Sequence, residues 1–251
     1  LFDLDIKLPS MLYEHMIEID ERIDVDGNVI IKLDDAKARE HLESAFANGI
    51  RAVAIALMHG YRHTEHEEKL GAICRDVGFT QVSLSHEASP LIKLVARADT
   101  TVVDAYLSPI LRRYVDQVAG ELGVDDDDGP QLMFMQSNGG LTNARLFQGK
   151  DAILSGPAGG VVGMARTAAT IGIERLIGFD MGGTSTDVTH FDGEFERSFE
   201  TLVAGVRMRA PMMHIHTVAA GGGSILAFDG ARFRVGPDSA GANPGPACYG
   251  R

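Results

Sequence analysis

The sequence predicts an α/β protein with a mixed sheet flanked by helices. Two observations carry that prediction. Short apolar runs alternate with amphipathic stretches between residues 29 and 85, the pattern of strand and helix units stacked in layers. Further on, glycine density rises, and an apolar run enters a polar, glycine-rich turn at 178–188 and leaves it as a second apolar run.

The elements follow in order. Residues 17–19 and 29–33 read as short strands, with Asp26-Gly27-Asn28 as a turn signal between them. Asp34-Asp35 can cap a helix that places Ala38, Leu42, Ala45 and Phe46 on one face and ends at Asn48-Gly49. Residues 51–57 read as a buried strand. Thr64 and Glu67 have capping-box spacing for a helix carrying Leu70, Ile73 and Val77 and stopping at Gly78. Residues 81–85 form a further strand. Ser89-Pro90 opens a long helical region, and Ser108-Pro109 starts another helix, because proline is tolerated in a first turn. Residues 131–136 read as a buried strand, Ser155-Gly-Pro-Ala-Gly-Gly160 leads into an Ala-rich helix to about Ile171, and 176–180 and 188–191 read as strands on either side of the glycine turn. Asp192-Gly193 then makes a tight turn into a third strand at 194–197.

Composition narrows the function. Of 251 residues, 45% are hydrophobic and 23% charged, which suits a globular protein with a sizeable core. The formal net charge of -12 argues against a nucleic-acid partner, which needs clustered Lys and Arg. The only charge run, Asp125 to Asp128, reads as a solvated loop rather than a metal trap. Cys74 and Cys248 form no Cys-x-x-Cys pair, and a reducing, cytoplasmic compartment is expected. No apolar stretch has the length of a membrane span. Both ends read like the interior of a longer protein.

The turn at 178–188 is the candidate site. Gly182 and Gly183 permit close backbone approach. Their amides, with those of Thr184 and Ser185, can cradle a phosphate, and the hydroxyls of Thr184, Ser185 and Thr186 add donors. Asp180 and Asp187 are hard oxygen groups suited to Mg²⁺, which takes one or two carboxylates plus phosphate oxygens. No Gly-x-x-x-x-Gly-Lys-Ser/Thr loop competes with this turn. Residues 155–160 can serve a ligand or let a helix pack closely on the sheet. His214 and His216, placed two apart on a strand, share one face and can reach one metal, or can be ordinary hydrogen-bonded histidines. Cys248 has no base near it in sequence and reads as a bystander.

Asp180-Met-Gly-Gly-Thr-Ser-Thr-Asp187 resembles the second phosphate hairpin of the actin-like ATPase superfamily. Together with Met135-Gln-Ser-Asn-Gly-Gly-Leu141, Ser155-Gly-Pro-Ala-Gly-Gly-Val161, Val218-Ala-Ala-Gly-Gly-Gly-Ser224 and Gly241-Ala-Asn-Pro-Gly-Pro-Ala-Cys-Tyr-Gly250, it is similar to the A-type subunit of the hydantoinase/oxoprolinase family. Asp104-Ala-Tyr-Leu-Ser-Pro-Ile-Leu111 fits as well.

The resemblance implies an incomplete ribonuclease-H-like, actin-like ATPase fold. Residues 1–98 would be the C-terminal part of the family's N-terminal domain, and 99–251 the first part of its ATPase core. It implies ATP and Mg²⁺ as cofactors, with Asp180 and Asp187 as catalytic carboxylates and Asp180 on the metal. Asp187 either orients a metal-bound water or caps the turn. Gly182, Gly183, Thr184, Ser185 and Thr186 would hold the phosphates. Gly221, Gly222, Gly223 and Ser224 resemble the superfamily's adenosine motif, or form a plain loop. The implied activity is opening of a cyclic amide (a hydantoin or 5-oxoproline) by phosphoryl activation of its carbonyl, alongside a B-type subunit or domain. The alternatives are the nucleotide-binding subunit of an acetone- or acetophenone-type carboxylase and a non-catalytic ATP-driven module. The family's first phosphate hairpin is not in this stretch, so these residues alone are expected to turn over ATP poorly.

Overall fold

A computed structural model describes residues 11–124, 129–203 and 205–250. The acidic run at 125–128 and the opening residues 1–10 lie outside the described residues. The chain divides into two compact units. The first holds the described residues up to Phe134, with Leu141–Ile153 and Phe199–Pro211; the second holds Met135–Gly140, Leu154–Ser198 and, as far as it is described, the chain from Met212 onward.

The first unit runs β1 (Arg22–Ile23), β2 (Val29–Ile31), α1 (Asp35–Ala47), β3 (Ala52–Ile55), α2 (Glu65–Val77), β4 (Gln81–Leu84), α3 (Ser85–Ala88) and α4 (Leu94–Glu121). The hairpin β5 (Met133–Met135) and β6 (Leu141–Asn143) leads to α5 (Gly149–Ala152). In the second unit lie α6 (Ser155–Ala169), β7 (Arg175–Met181), β8 (Thr186–Asp192) and β9 (Arg197–Ser198). The chain returns to the first unit for β10 (Thr201–Val203) and β11 (Val206–Met208). It closes in the second with β12 (Met212–Met213), β13 (His216–Val218), β14 (Ser224–Phe228) and β15 (Phe233–Ser239). The fold is thus mixed α/β: β3 and β4 pair in parallel, whereas β7, β8 and β13 form an antiparallel sheet in the order β13-β8-β7. No helix among the described residues is long and apolar enough to cross a membrane.

Local chemistry explains most boundaries in the first unit. Asp34 caps α1, its Oδ1 accepting from the amides of Ala36 and Lys37 at 3.1 Å each. Gly78 ends α2 at a φ of 113°, the left-handed conformation glycine adopts without a Cβ penalty. Leu42, Ile55, Leu70, Ile73, Phe79 and Leu84 meet in one buried cluster between α1, α2 and the parallel strands. Burying each such side chain contributes roughly 1.5–3 kcal/mol.

Four expectations change here. Residues 17–19 form no strand; Ile17 and Ile19 pack half-buried on that cluster instead. Thr64 and Glu67 make no capping box: the Thr64 hydroxyl bonds Glu68 Oε1 at 2.7 Å, while Glu67 points inward and is fully buried. Ser89 does not open the long helix, which starts at Leu94; its buried hydroxyl donates to the Arg209 carbonyl at 3.0 Å. Finally, Pro109 starts no new helix but lies inside α4. A proline there removes one intrahelical bond. The buried face runs straight through it, however: Asp104 and Ser108, one turn apart, receive the amides of Lys150 and Gly149 at the start of α5, at 3.2 and 3.0 Å. These bonds hold α4 just before residue 109, and Val115, buried against Ala144 and Phe147, holds it beyond, so the helix continues through the proline.

In the second unit the expected third strand at 194–197 is replaced. Only a single bridge links Phe191 to Phe195, and β9 pairs with β12. The third strand of the β7–β8 sheet is β13, which arrives from more than twenty residues further along. Alpha-helix α6 packs on one face of this sheet. A Cβ at Gly178 would stand 2.4 Å from both Met164 Sδ and Thr189 Oγ1, so the strand is glycine where the helix and its neighbouring strand approach closest.

Candidate phosphate-binding hairpin

The turn that joins β7 to β8 spans residues 182–185. Its register is set by Met181 opposite Thr186 and Asp180 opposite Asp187. The Gly182 amide closes the turn by donating to the Ser185 carbonyl at 2.9 Å. Among the described residues, the amides of Gly183, Thr184 and Ser185 donate to no carbonyl and no side chain. Gly182, Gly183 and Thr184 are exposed and Ser185 is half-buried. Three successive amides without a partner among the described residues, at a turn between two paired strands, are available to an anion.

The turn is held from behind. Gly222 donates to the Gly182 carbonyl at 2.9 Å, and Gly223 to the Gly183 carbonyl at 2.7 Å. The Thr186 hydroxyl is buried and donates to the Ala220 carbonyl at 2.6 Å. Its hydroxyl is therefore committed to the fold and is not a free donor, as the sequence reading had it. The Ser224 hydroxyl accepts from the Gly221 amide at 2.9 Å. The glycine run that resembles an adenosine motif thus has two of its amides committed to the hairpin.

Asp180 and Asp187 lie directly opposite one another on adjacent antiparallel strands and so project from the same face. The Thr217 hydroxyl of β13 donates to Asp187 Oδ1 at 2.7 Å. Among the described residues neither carboxylate forms a salt bridge with Lys, Arg or His. Two like charges facing each other across a ladder destabilise it, and a cation relieves that repulsion. Gly160 of α6 lies beside Asp180: its missing Cβ would stand 4.0 Å from Asp180 Oδ2. In the structure residues 155–160 are the first turns of α6, which lies against the sheet.

His214 and His216 do not share a strand. His214 falls between β12 and β13, and His216 begins β13 opposite Val188. The strand that was to bring both imidazoles to one face is interrupted at Met213, which packs into the core with Ala158 and Val161. His214 faces Glu196 instead, with Nδ1 3.4 Å from Oε2, while His190 Nδ1 lies 2.7 Å from Oε1. The hydrogen bonds from His190 and then His214 hold the Glu196 carboxyl below its usual range. Among the described residues no group of three or more His, Cys, Asp or Glu could hold a metal ion. Cys248 is exposed; Cys74 is fully buried, and desolvation pushes its thiol up to about 11. Sequence reasoning missed Thr217, whose partner lies thirty residues away with no local signal, and the buried Arg97, and it took the buried Glu67 for a helix cap.

Residues 97–251 match the family described as hydantoinase/oxoprolinase, and residues 1–78 match the hydantoinase/oxoprolinase N-terminal region. The chain is 44% identical to a 5-oxoprolinase of Saccharomyces cerevisiae over 99% of its own length and 22% of the yeast protein's. It superposes on the crystal structure of an ATP-dependent caprolactamase from Pseudomonas jessenii with a TM-score of 0.75 at 35% identity, covering 92% of this chain and 34% of that one. On a nucleotide-free acetone carboxylase, from work on the mechanism of ATP-dependent acetone carboxylation, the TM-score is 0.73 at 26% identity, with 89% and 32% covered. The chain therefore spans about a fifth of the yeast 5-oxoprolinase and a third of the two enzymes of known structure.

Proposed function

The chain belongs to the hydantoinase/oxoprolinase family, and on that premise we propose that it contributes the phosphate-binding hairpin of an ATP-dependent enzyme that opens a cyclic amide. The observation that carries the proposal is the turn at 182–185, where, among the described residues, three amides have no hydrogen-bond partner and two facing carboxylates have no basic partner. Its residues fit MgATP. Amides and hydroxyls of Gly183, Thr184 and Ser185 would hold phosphate oxygens. Asp180, and Asp187 held by Thr217, would hold Mg²⁺, which needs only one or two carboxylates when phosphate and water complete its shell.

When bound, MgATP would supply the phosphoryl group that makes the oxygen of an unreactive amide carbonyl a leaving group. The residues of this chain do the rest by position and charge. The amides of the turn neutralise phosphate charge without reorganising, because both flanking strands are fixed in register. Asp187 keeps Oδ1 on Thr217 and leaves Oδ2 for a cation or a water proton. We infer further that the chain is part of an actin-like ATPase fold, with residues 1–98 as the end of an N-terminal domain and 99–251 as the start of the ATPase core, and that it works in the cytoplasm beside a B-type partner.

A lactam or hydantoin substrate is favoured by the likeness to a 5-oxoprolinase and a caprolactamase. The likeness to an acetone carboxylase supports a second reading, activation of a ketone for carboxylation. Adding 5-oxoproline, a hydantoin or caprolactam to the full-length protein with its partner should raise ADP release. A response to a ketone with bicarbonate alone would move the protein to the carboxylase reading. The hairpin itself is tested by Asp180→Asn. Mg²⁺-dependent nucleotide affinity should fall by more than about 100-fold, with an unchanged circular dichroism spectrum, because Asp180 is exposed at a strand end. Unchanged affinity would remove the metal assignment.

A further inference from the structure

We infer that the glycine run Gly221–Gly223 does not line the nucleotide but forms a buttress that aims the phosphate turn, with Gly221 as its main positioning residue. The inference rests on the proposed phosphate-binding role of residues 183–185.

The contacts run from backbone to backbone. A Cβ on Gly221 would stand 2.7 Å from the Gly182 carbonyl oxygen, 2.8 Å from the Gly183 carbonyl carbon and 2.8 Å from the Ser185 nitrogen. All three atoms belong to the turn, and none can swing aside as a side chain end can. Gly223 is the next tightest: its Cβ would lie 3.0 Å from the Gly183 carbonyl oxygen and 3.2 Å from Ser239 Oγ. Gly222, between them, has only the Gly182 oxygen nearby, at 3.8 Å, an ordinary contact. Burial follows the same order, since Gly221 and Gly223 are buried and Gly222 is exposed. None of the three adopts a left-handed φ. Glycine is thus required at 221 by close approach to the turn and not by its own conformation.

The bonds have the matching direction. Gly222 and Gly223 donate to the carbonyls of Gly182 and Gly183, so those two carbonyl oxygens are held on the side of the run. In an extended or turned backbone, fixing a carbonyl on one side leaves the following amide facing the other way. The amides that follow are those of Gly183 and Thr184, two of the three without a partner. The Gly221 amide is fixed in turn by Ser224 Oγ, and Ala240 donates to the Gly223 carbonyl at 2.8 Å, so the run is anchored on its far side. Amides already aimed do not have to be ordered when an anion binds, which raises affinity without a new contact.

A run that lined adenosine would show the opposite pattern. Its exposed member, Gly222, would be the sensitive one, and the loss would fall on ligands that carry the base. The experiment is calorimetric titration of the full-length protein with adenosine, AMP, ADP, ATP and inorganic tripolyphosphate, in Gly221→Ala, Gly222→Ala, Gly223→Ala and the double variant Thr184→Ala/Ser185→Ala. The expected order of loss is Gly221→Ala, then Gly223→Ala, with Gly222→Ala unchanged. The loss should be tenfold or more for tripolyphosphate and ATP in Gly221→Ala, with adenosine and AMP affinity unaltered. Should Gly221→Ala fail to fold, the milder Gly223→Ala against Gly222→Ala carries the same contrast. Loss of adenosine affinity, or Gly222→Ala as the most damaging change, would overturn the inference. If the double variant loses tripolyphosphate while Gly221→Ala and Gly223→Ala keep it, the buttress is wrong and the phosphate site stands. If the double variant keeps full affinity, both fall.

Discussion

Glu67 and Arg97 in the first unit and the 182–185 turn in the second are both crowded with polar groups, and they dispose of them in opposite ways. Glu67 is fully buried, yet its carboxylate accepts from the Leu57 amide, the Ser85 hydroxyl and the His86 amide, and lies 2.8 Å from His86 Nδ1. Arg97 is equally buried, and five hydrogen bonds use its guanidinium: one to Ser85 Oγ and four to the carbonyls of Leu57, Met58, Leu91 and Ile92. Burial pulls the Arg97 pKa below its ordinary value, opposed by the charge of Glu67. Even Gly60 is shaped by this cluster, since a Cβ there would overlap Glu67 Oε1 at 2.2 Å. At the hairpin, by contrast, three consecutive amides have no partner among the described residues, in a turn whose Gly182, Gly183 and Thr184 are exposed. A polar cluster that is closed and saturated holds a fold together. One that is open and unsaturated, on a rigid frame, is available to a ligand.

The sharpest way to break this contrast is Glu67→Gln. The substitution keeps the shape but removes the charge that Arg97 feels and turns an acceptor into a donor facing other donors. Breaking a buried charged network by removing one partner costs about 3–5 kcal/mol. Urea denaturation should show that loss, while nucleotide affinity of the folded fraction stays unchanged. A loss under about 1 kcal/mol would mean that the network is not structural.

The hairpin should respond in reverse. Thr184→Ala/Ser185→Ala removes two hydroxyls that make no hydrogen bond among the described residues. Stability should move by no more than about 0.5 kcal/mol, as for surface positions. Affinity for ATP should fall by about ten- to a hundredfold, because a hydrogen bond to a charged group contributes about 1.5–3 kcal/mol. A clear drop in the denaturation midpoint would place these side chains in the fold instead.

Local chemistry was readable in advance; contacts between distant residues were not. The hairpin could be read because everything that makes it is contiguous: an apolar strand, two glycines, hydroxyls and a returning strand. Asp34 and Gly78 were equally readable, since a cap and a left-handed stop depend on neighbours within four residues. Glu67 misled because capping-box spacing looks the same whether the carboxylate turns back to its own helix or inward to Ser85 and His86. Pro109 misled because the face that carries α4 through it depends on α5, some forty residues later. The role of Gly221 was hidden for the same reason: glycine required by the distant backbone of residues 182–185 looks identical to glycine required by a ligand.

Thr186 tests the boundary between the two kinds of polar group. It belongs to the hairpin by sequence, but its hydroxyl is buried on the Ala220 carbonyl, so it should behave like Glu67 and not like Thr184. Thr186→Val preserves shape and β-branching and removes only that bond. The expected loss of stability is about 0.5–1.5 kcal/mol, well below that of Glu67→Gln, because Ala220 is only half-buried and its carbonyl can turn to water. Thermal melting of the full-length protein measures it. Adenosine affinity should stay fixed. Tripolyphosphate affinity should fall only slightly, since Gly222 and Gly223 still hold the turn. A large loss of tripolyphosphate affinity with no change in melting would make the Thr186 hydroxyl a phosphate donor after all, and would erase the distinction between committed and available groups within this turn.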